Sequence, residues 1–363
     1  MRFKSFLRSF DAIRARSPVD PLRPGAAYAI VQDLRMGDGS RLDELRPSAE
    51  VAEAVFGAWF DEGRVLVLGG DTEDLRGFWR KDIAAAWRPL TTIIQAFAAK
   101  GRLRRILGER DLGLVRRGDL PYPLHHGLRI EGEGVRVFVL HGHQASRFFA
   151  GRDYLEFVED FRGRARKIGD EADLEKPDRV HRAELRLHRA SLERGLVTIA
   201  GHTGRVLFGG KGAFEDLRAH IDALLRDRPE GEGKGELLSE LVELYRGELR
   251  RESRRGRQPV PELETASPGA LAPCLFNPGR AAERRGLSAI EIDGLDIRLV
   301  HRAQAGKVRS SLERRALRRE RLPGGALRLV LAEVSLPELR ERIDLLSPWA
   351  GAPAGVPEEL IES

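Results

Sequence analysis

Cysteine is all but absent from this chain: Cys274 stands alone among 363 residues. A lone thiol makes no internal disulfide and no cysteine cluster for a metal, so packing must hold the fold, and a reducing compartment suits it. Long apolar runs are missing too. No segment reaches the roughly 18 apolar residues that span a bilayer. The opening Met1-Arg2-Phe3-Lys4-Ser5-Phe6-Leu7-Arg8 breaks its apolar residues with charge, so no signal peptide is expected. A cytoplasmic location is the expectation. Aromatics make up only 6% of the chain, and the basic stretches lack the aromatic interleaving of a nucleic-acid stacking platform. No internal repeat is evident.

What is present in excess is charge. Asp, Glu, Lys and Arg are 33% of residues, Arg far outnumbers Lys, and the formal charge is +6 with a pI near 9.7. That balance suits an anionic partner, whether phosphate, nucleic acid or membrane surface; a solvated Arg/Glu surface accounts for it equally well. The length allows one large or two small domains with a sizeable core.

Five short β-type runs each stop at a chemically useful side chain. Leu66-Val67-Leu68-Gly69-Gly70 runs into Asp71, and Tyr28-Ala29-Ile30-Val31-Gln32 into Asp33. Leu103 to Gly108 leads to Glu109, Val135 to Leu140 to His141, and Leu196 to Gly201 to His202. Open α/β sheets place ligands at the carboxyl ends of their strands. Carboxylates and imidazoles delivered there can converge on one Mn, Fe or Zn ion. A Gly-Asp after a strand is also an ordinary turn, so no one of these ends decides the matter alone.

Taken in order, the motifs are Asp33-Leu34-Arg35, Gly70-Asp71, Gly108-Glu109-Arg110-Asp111, His141-Gly142-His143, Gly201-His202-Thr203-Gly204 and Phe276-Asn277-Pro278-Gly279. From about Tyr28 to Val300 the chain resembles the calcineurin-like metallophosphoesterases, above all bacterial members with a helical insertion before the last strands. The resemblance implies an α/β fold, a four-layer αββα sandwich of two mixed β-sheets flanked by helices. It implies a metal-dependent phosphoric ester hydrolase acting on a phosphate-containing small molecule or phosphodiester.

The departures from that family's motifs are themselves ordered. By resemblance one ion would use the Asp and His of Asp-x-His, the shared Asp, and the last His of Gly-His-x-His. Here the two histidines are replaced by Arg35 and Gly204, leaving Asp33 and Asp71. The second ion would use the shared Asp71, Glu109 in place of an Asn, His141 and His202, all competent ligands. The expectation is at most one divalent ion, or none, with the Arg35 guanidinium standing where the other cation would sit. Arg110 stands where the family has a histidine that assists the leaving group. Arginine holds its proton, so it can stabilise phosphoryl charge but cannot serve as general acid. His143, two residues beyond His141, would lie near the substrate.

Residues 1–24 form an amphipathic basic segment with Phe3, Phe6, Leu7, Phe10 and Ile13 at helical spacing, expected to dock on its own domain rather than on a membrane. Residues 25–210 are the metallophosphoesterase core, 211–272 a helical hairpin insertion with a flexible linker, and 273–363 the last strands of the core with terminal helices. Helices are expected at 49–62, at 79–100 with a break near Pro89, at 312–321 and at 336–346. The pair His125 and His126 is expected in a loop, and His181 and His188 on a solvated helix face. The arginines of 250–257 are the candidate polyanion contact. Three functions stay open: a degenerate phosphoesterase that binds phosphate or regulates, a rewired single-metal hydrolase using Arg35 and Arg110, and a basic protein that binds nucleic acid or a membrane surface.

Overall fold

The computed structural model describes residues 2–163, 177–209, 272–282, 286–308, 310–322 and 325–346. The helical hairpin insertion and flexible linker expected at 211–272, all but the last residue, lie outside the described residues, the 250–257 arginines among them. The first half of the chain runs α1 (Arg2–Arg16), β1 (Val19–Pro21), β2 (Ala27–Val31), α2 (Ala49–Asp61), β3 (Val65–Leu68), α3 (Arg80–Ala86), α4 (Arg88–Ala99), β4 (Leu103–Ile106) and β5 (Leu124–His125). Next come β6 (Gly127–Gly132), β7 (Val135–Leu140), α5 (Tyr154–Gly163), α6 (Pro177–Glu193), β8 (Val197–Ala200) and β9 (Val206–Phe208). The chain closes with β10 (Leu275–Pro278), β11 (Gly286–Asp293), β12 (Asp296–Gln304), α7 (Ser310–Arg315), β13 (Arg318–Arg321), β14 (Ala326–Ser335) and α8 (Leu336–Leu346).

Two mixed sheets result, one in the order β1-β6-β7-β8-β10-β9 and the other β13-β14-β12-β11-β2-β3-β4-β5. Strand alternation sorts their side chains into layers. Ile30, Val67, Ile106, Ile290 and Ile292 of the larger sheet meet Ile130, Val137, Val139, Ile199 and Phe276 of the smaller one in a shared core. The neighbouring residues point the other way. Ala29, Val31, Leu66 and Leu68 pack under Val55, Phe56 and Trp59 of α2 and Ile94 and Phe97 of α4. Phe138, Leu140 and Leu275 pack under Phe6, Phe10 and Ile13 of α1 together with residues of α5 and α6. Helices, sheet, sheet, helices is the four-layer order that the resemblance implies. α1 is therefore a packed element, with Phe10 edge-on to Phe138 at 5.1 Å between ring centroids.

The chain differs from the sequence reading at particular points. Arg318–Arg321, expected at the end of a helix, is strand β13 paired antiparallel with Arg328, Leu329, Leu327 and Val330 of β14, and the helix stops at Arg315. A fully charged segment carries no apolar period, so only its partner strand specifies it. His125 ends β5 rather than lying in a loop, pairing with Ile106. His188 is buried rather than solvated, its Nε2 2.9 Å from the carbonyl oxygen of Ala272. Pro89 sits at the start of α4, where its missing N–H costs nothing, and the chain breaks between α3 and α4 as expected. Among the described residues no helix is long and apolar enough to cross a membrane.

One buried ionic cluster ties α2 to the larger sheet. Glu291 of β11 accepts from the Trp59 indole N–H at 2.7 Å, from Nε of Arg302 at 2.9 Å and from both Nε and Nη2 of Arg328 at 2.9 and 2.6 Å. Arg64 lies 3.6 Å away and pairs with Glu62 and Asp293. Burial alone would raise the Glu291 carboxyl, but Arg302, Arg64 and Arg328 outweigh it and hold its pKa at about 2.

Candidate metal centre

The candidate ligands leave both sheets at one end. Asp33 follows β2, Asp71 follows β3 and Glu109 follows β4 in the larger sheet, while His141 follows β7 and His202 follows β8 in the smaller. Because β2, β3 and β4 run parallel, and so do β7 and β8, their carboxyl ends point the same way. Reaching the crevice takes sharp backbone. Asp33, Arg35, Asp71 and His202 adopt φ of 53, 51, 50 and 63°, leaving Glu133 in a hairpin turn as the remaining non-glycine residue at positive φ among the described residues. Left-handed backbone without glycine is costly and collects at functional sites. Two glycines make room: a Cβ on Gly70 would lie 2.5 Å from Cδ2 of His141, and one on Gly108 would overlap Oδ1 of Asp71.

Ligand-capable atoms of Glu109, His141 and His202 lie within 4.8 Å of one another, and so do those of Asp33, Asp71 and His141. His141 is common to both groups. Its Nε2 is 3.5 Å from Oδ1 of Asp33 and 3.7 Å from Oδ2 of Asp71, and its Nδ1 is 3.1 Å from Oε2 of Glu109. Nδ1 of His202 is 2.9 Å from Oε1 of Glu109. Among the described residues, Oδ2 of Asp71, Oε2 of Glu109 and both ring nitrogens of His202 are buried without a well-aligned hydrogen bond. Buried polar atoms left unsatisfied are expensive, and carboxylate and imidazole atoms of this kind are ones a divalent cation can satisfy. Each of the two groups, Glu109 with His141 and His202 and Asp33 with Asp71 and His141, mixes carboxylate oxygen with imidazole nitrogen, donors that could hold a metal ion.

Arg35 points inward. It is 2% exposed, with Nη2 3.5 Å from Oδ1 of Asp33 and Nη1 donating to Oε1 of Glu44 at 3.3 Å. The other oxygen of Asp33 accepts the backbone N–H of His202 at 3.0 Å, joining the two sheets. Burial would raise the Asp33 carboxyl, but His141 and Arg35 together bring it down to about 2. Asp71 is displaced the opposite way: burial, Glu109 and Asp33 push it well above the usual carboxylate range. Burial opposes the charged forms of Glu109 and His141 as well. His202 and His141 nonetheless hold Glu109 well down, and Asp71 and Glu109 hold His141 well up. Opposed shifts in one crevice are a feature that functional sites share with buried ion-pair networks.

Arg110 is engaged. Its backbone N–H donates to Oδ1 of Asp71 at 2.8 Å, its Nη1 pairs with Asp74, and its Nε lies 3.9 Å from Oδ2 of Asp71. His143 stands behind His141, the two Nδ1 atoms 3.0 Å apart, and its Nε2 is 3.1 Å from the hydroxyl of Tyr154. That hydroxyl is also 3.3 Å from Nδ1 of His126. Burial and the neighbouring His141 and His202 keep the His143 ring well below its usual pKa, although Glu109 works against them.

Sequence reasoning passed over Tyr154 and read His126 only as a loop residue; neither carries a motif, and both meet the site through tertiary packing. It also left Asp111 without a role. Asp111 accepts the backbone N–H of Gly108 at 2.7 Å and of Thr72 at 2.9 Å, and Nη2 of Arg105 at 2.7 Å, fixing the loops that carry Glu109 and Asp71. Its place three residues after a strand-ending Gly was the available signal.

No protein-family model and no curated protein matches the chain. Solved structures do. A predicted phosphoesterase from Streptococcus pneumoniae TIGR4 is 11% identical over 85% of this chain and 97% of its own, with a TM-score of 0.32. The E. coli phosphoesterase Yfce is 13% identical over 75% of this chain and 91% of its own, with a TM-score of 0.31. A Vps29 variant from Entamoeba histolytica is 11% identical over 85% and 98%, with a TM-score of 0.32. At such scores the likeness carries nothing further, and the chemistry of the site rests on its own residues.

Proposed function

We propose that this sandwich binds one divalent ion, Mn, Fe or Zn, through Asp71, Glu109, His141 and His202, and binds a phosphate-bearing ligand beside it. Two-metal hydrolysis is lost in this reading. The observation that carries it is the contrast between the half-sites: Arg35 fills one, against Asp33, while in the other buried atoms of Asp71, Glu109 and His202 lack aligned partners. A bound ion would satisfy those atoms and polarise a phosphoryl oxygen. Arg35 supplies positive charge from the opposite side, and its fork suits phosphoryl oxygens. Arg110 holds Asp71 in place through its backbone N–H and keeps its side-chain proton, so no general acid stands at that position. Losing such an acid lowers rates by roughly 10² to 10⁴.

Metal analysis of the purified chain tests the proposal. One equivalent of Mn, Fe or Zn is expected, lost in His141→Ala, with little turnover of phosphomonoesters or phosphodiesters. Two equivalents with efficient turnover would overturn it, and so would a chain that takes up no metal when Mn, Fe and Zn are supplied.

A further inference from the structure

At the two positions where the resemblance implies histidines the chain has Arg35 and Gly204, and an arginine side chain lies at each, one in sequence and one in space. Arg35 takes the first position. At the second, Gly204 has φ +65°, and a Cβ built on it would come within 3.1 Å of Nε and 3.3 Å of Cγ of Arg280. Arg280 reaches that spot from the turn after β10, where Asn277 accepts the Gly279 N–H at 2.8 Å and donates to Thr203 at 2.9 Å. A side chain at 204 would crowd Arg280, which lies against the bare glycine.

Glu44 joins the two arginines. Its Oε1 is 3.3 Å from Nη1 of Arg35 and its Oε2 3.6 Å from Nη1 of Arg280. The loop that carries Glu44 is held by Asp43, which accepts the backbone N–H groups of Gly39 and Leu45 at 2.8 and 2.9 Å and the Trp87 indole N–H at 2.8 Å. These contacts hold the loop without using the Glu44 side chain. Side-chain exposure is 41% at Glu44 and 40% at Arg280 but 2% at Arg35, so this ion-paired trio runs from solvent to the buried centre.

We propose that Arg35 and Arg280 form a two-guanidinium clamp for a phosphoryl dianion, and that the Glu44 carboxylate occupies the clamp until a phosphate replaces it. The clamp rests on the reading above for its ion-binding neighbour and adds the substrate class. A terminal phosphoryl group carries up to two charges and three free oxygens, enough for two forks and one oxygen turned toward the ion. A phosphodiester has one charge and two free oxygens. The site therefore takes phosphomonoesters or inorganic phosphate ahead of diesters.

The test is calorimetric titration of the chelator-treated full chain with inorganic phosphate, so that the clamp and the ion are examined separately. Removing the internal competitor in Glu44→Gln is expected to tighten phosphate binding about three- to tenfold, the weight of a pair of partly exposed ion pairs. Arg280→Met is expected to weaken it by about tenfold or more, while Arg321→Met, an exposed arginine on β13, leaves it unchanged. Dimethyl phosphate should bind more weakly than phosphate. Phosphate affinity indifferent to both Glu44→Gln and Arg280→Met, or lowered equally by Arg321→Met, would overturn the clamp. So would phosphate binding that appears only after an ion is restored, which would leave the one-ion reading standing. Phosphate binding that responds to Glu44→Gln in a chain that never takes up metal would keep the clamp and remove the one-ion reading.

Discussion

Replacing Glu291 by glutamine removes one buried charge from among three guanidiniums, and the structure sets the size of the effect. The carboxyl ordinarily titrates near 4.5 and here near 2. At about 1.4 kcal/mol for each factor of ten in proton affinity, that gap is worth about 3 kcal/mol of stability. The folded value lies below the unfolded one, so the contribution is complete above about pH 4.5 and fades as the pH falls toward 2. Glu291→Gln should therefore cost about 3 kcal/mol at pH 7, within the roughly 3–5 kcal/mol range for breaking a buried ion pair by removing one partner. The difference should shrink to about 1.4 kcal/mol near pH 3, where the carboxyl of the unfolded chain is almost fully protonated while the folded one still is not. Urea unfolding of both chains at pH 7 and pH 3 measures this directly. A cost below about 1 kcal/mol at pH 7, or a cost that does not narrow in acid, would refute the electrostatic account.

Other expectations bear on the metal centre. Gly108→Ala forces a methyl into Asp71 and should lower both metal content and stability, the latter by about 1–3 kcal/mol, as read by metal analysis and urea midpoint. Tyr154→Phe keeps the ring and removes the hydroxyl between His143 and His126; metal affinity in chelator competition should fall about tenfold or more with little change in stability. Restoring both lost histidines, Arg35→His with Gly204→His, should raise metal uptake from one equivalent to two by elemental analysis.

The positions of the strand ends were readable because each β-run stops at a small or polar residue, and a period of two then fixes which residues face the core. Asp33, Asp71, Glu109, His141 and His202 could be singled out on that basis. Arg35 was singled out by the resemblance instead, since it stands at the histidine position of Asp-x-His. What could not be read is long-range packing. Arg280 lies against Gly204, and Tyr154 reaches His143 from another layer of the fold; neither contact leaves a local trace in the chain. Arg318–Arg321 shows the same limit at the level of secondary structure. Its four charged side chains suit helix or edge strand alike, and the hydrogen bonds offered by β14 decide. His188 was misplaced on a solvated face because its neighbours are charged, whereas the carbonyl of Ala272 that meets it comes from β10's approach, far along the chain.

The left-handed backbone at Asp33, Arg35, Asp71 and His202 has a consequence for how this protein would drift under selection. Glycine at any of them would relieve on the order of 1 kcal/mol of conformational cost. A population screened for heat tolerance alone would thus be drawn toward glycine at these four positions, two of which, Asp71 and His202, belong to the proposed ion-binding set.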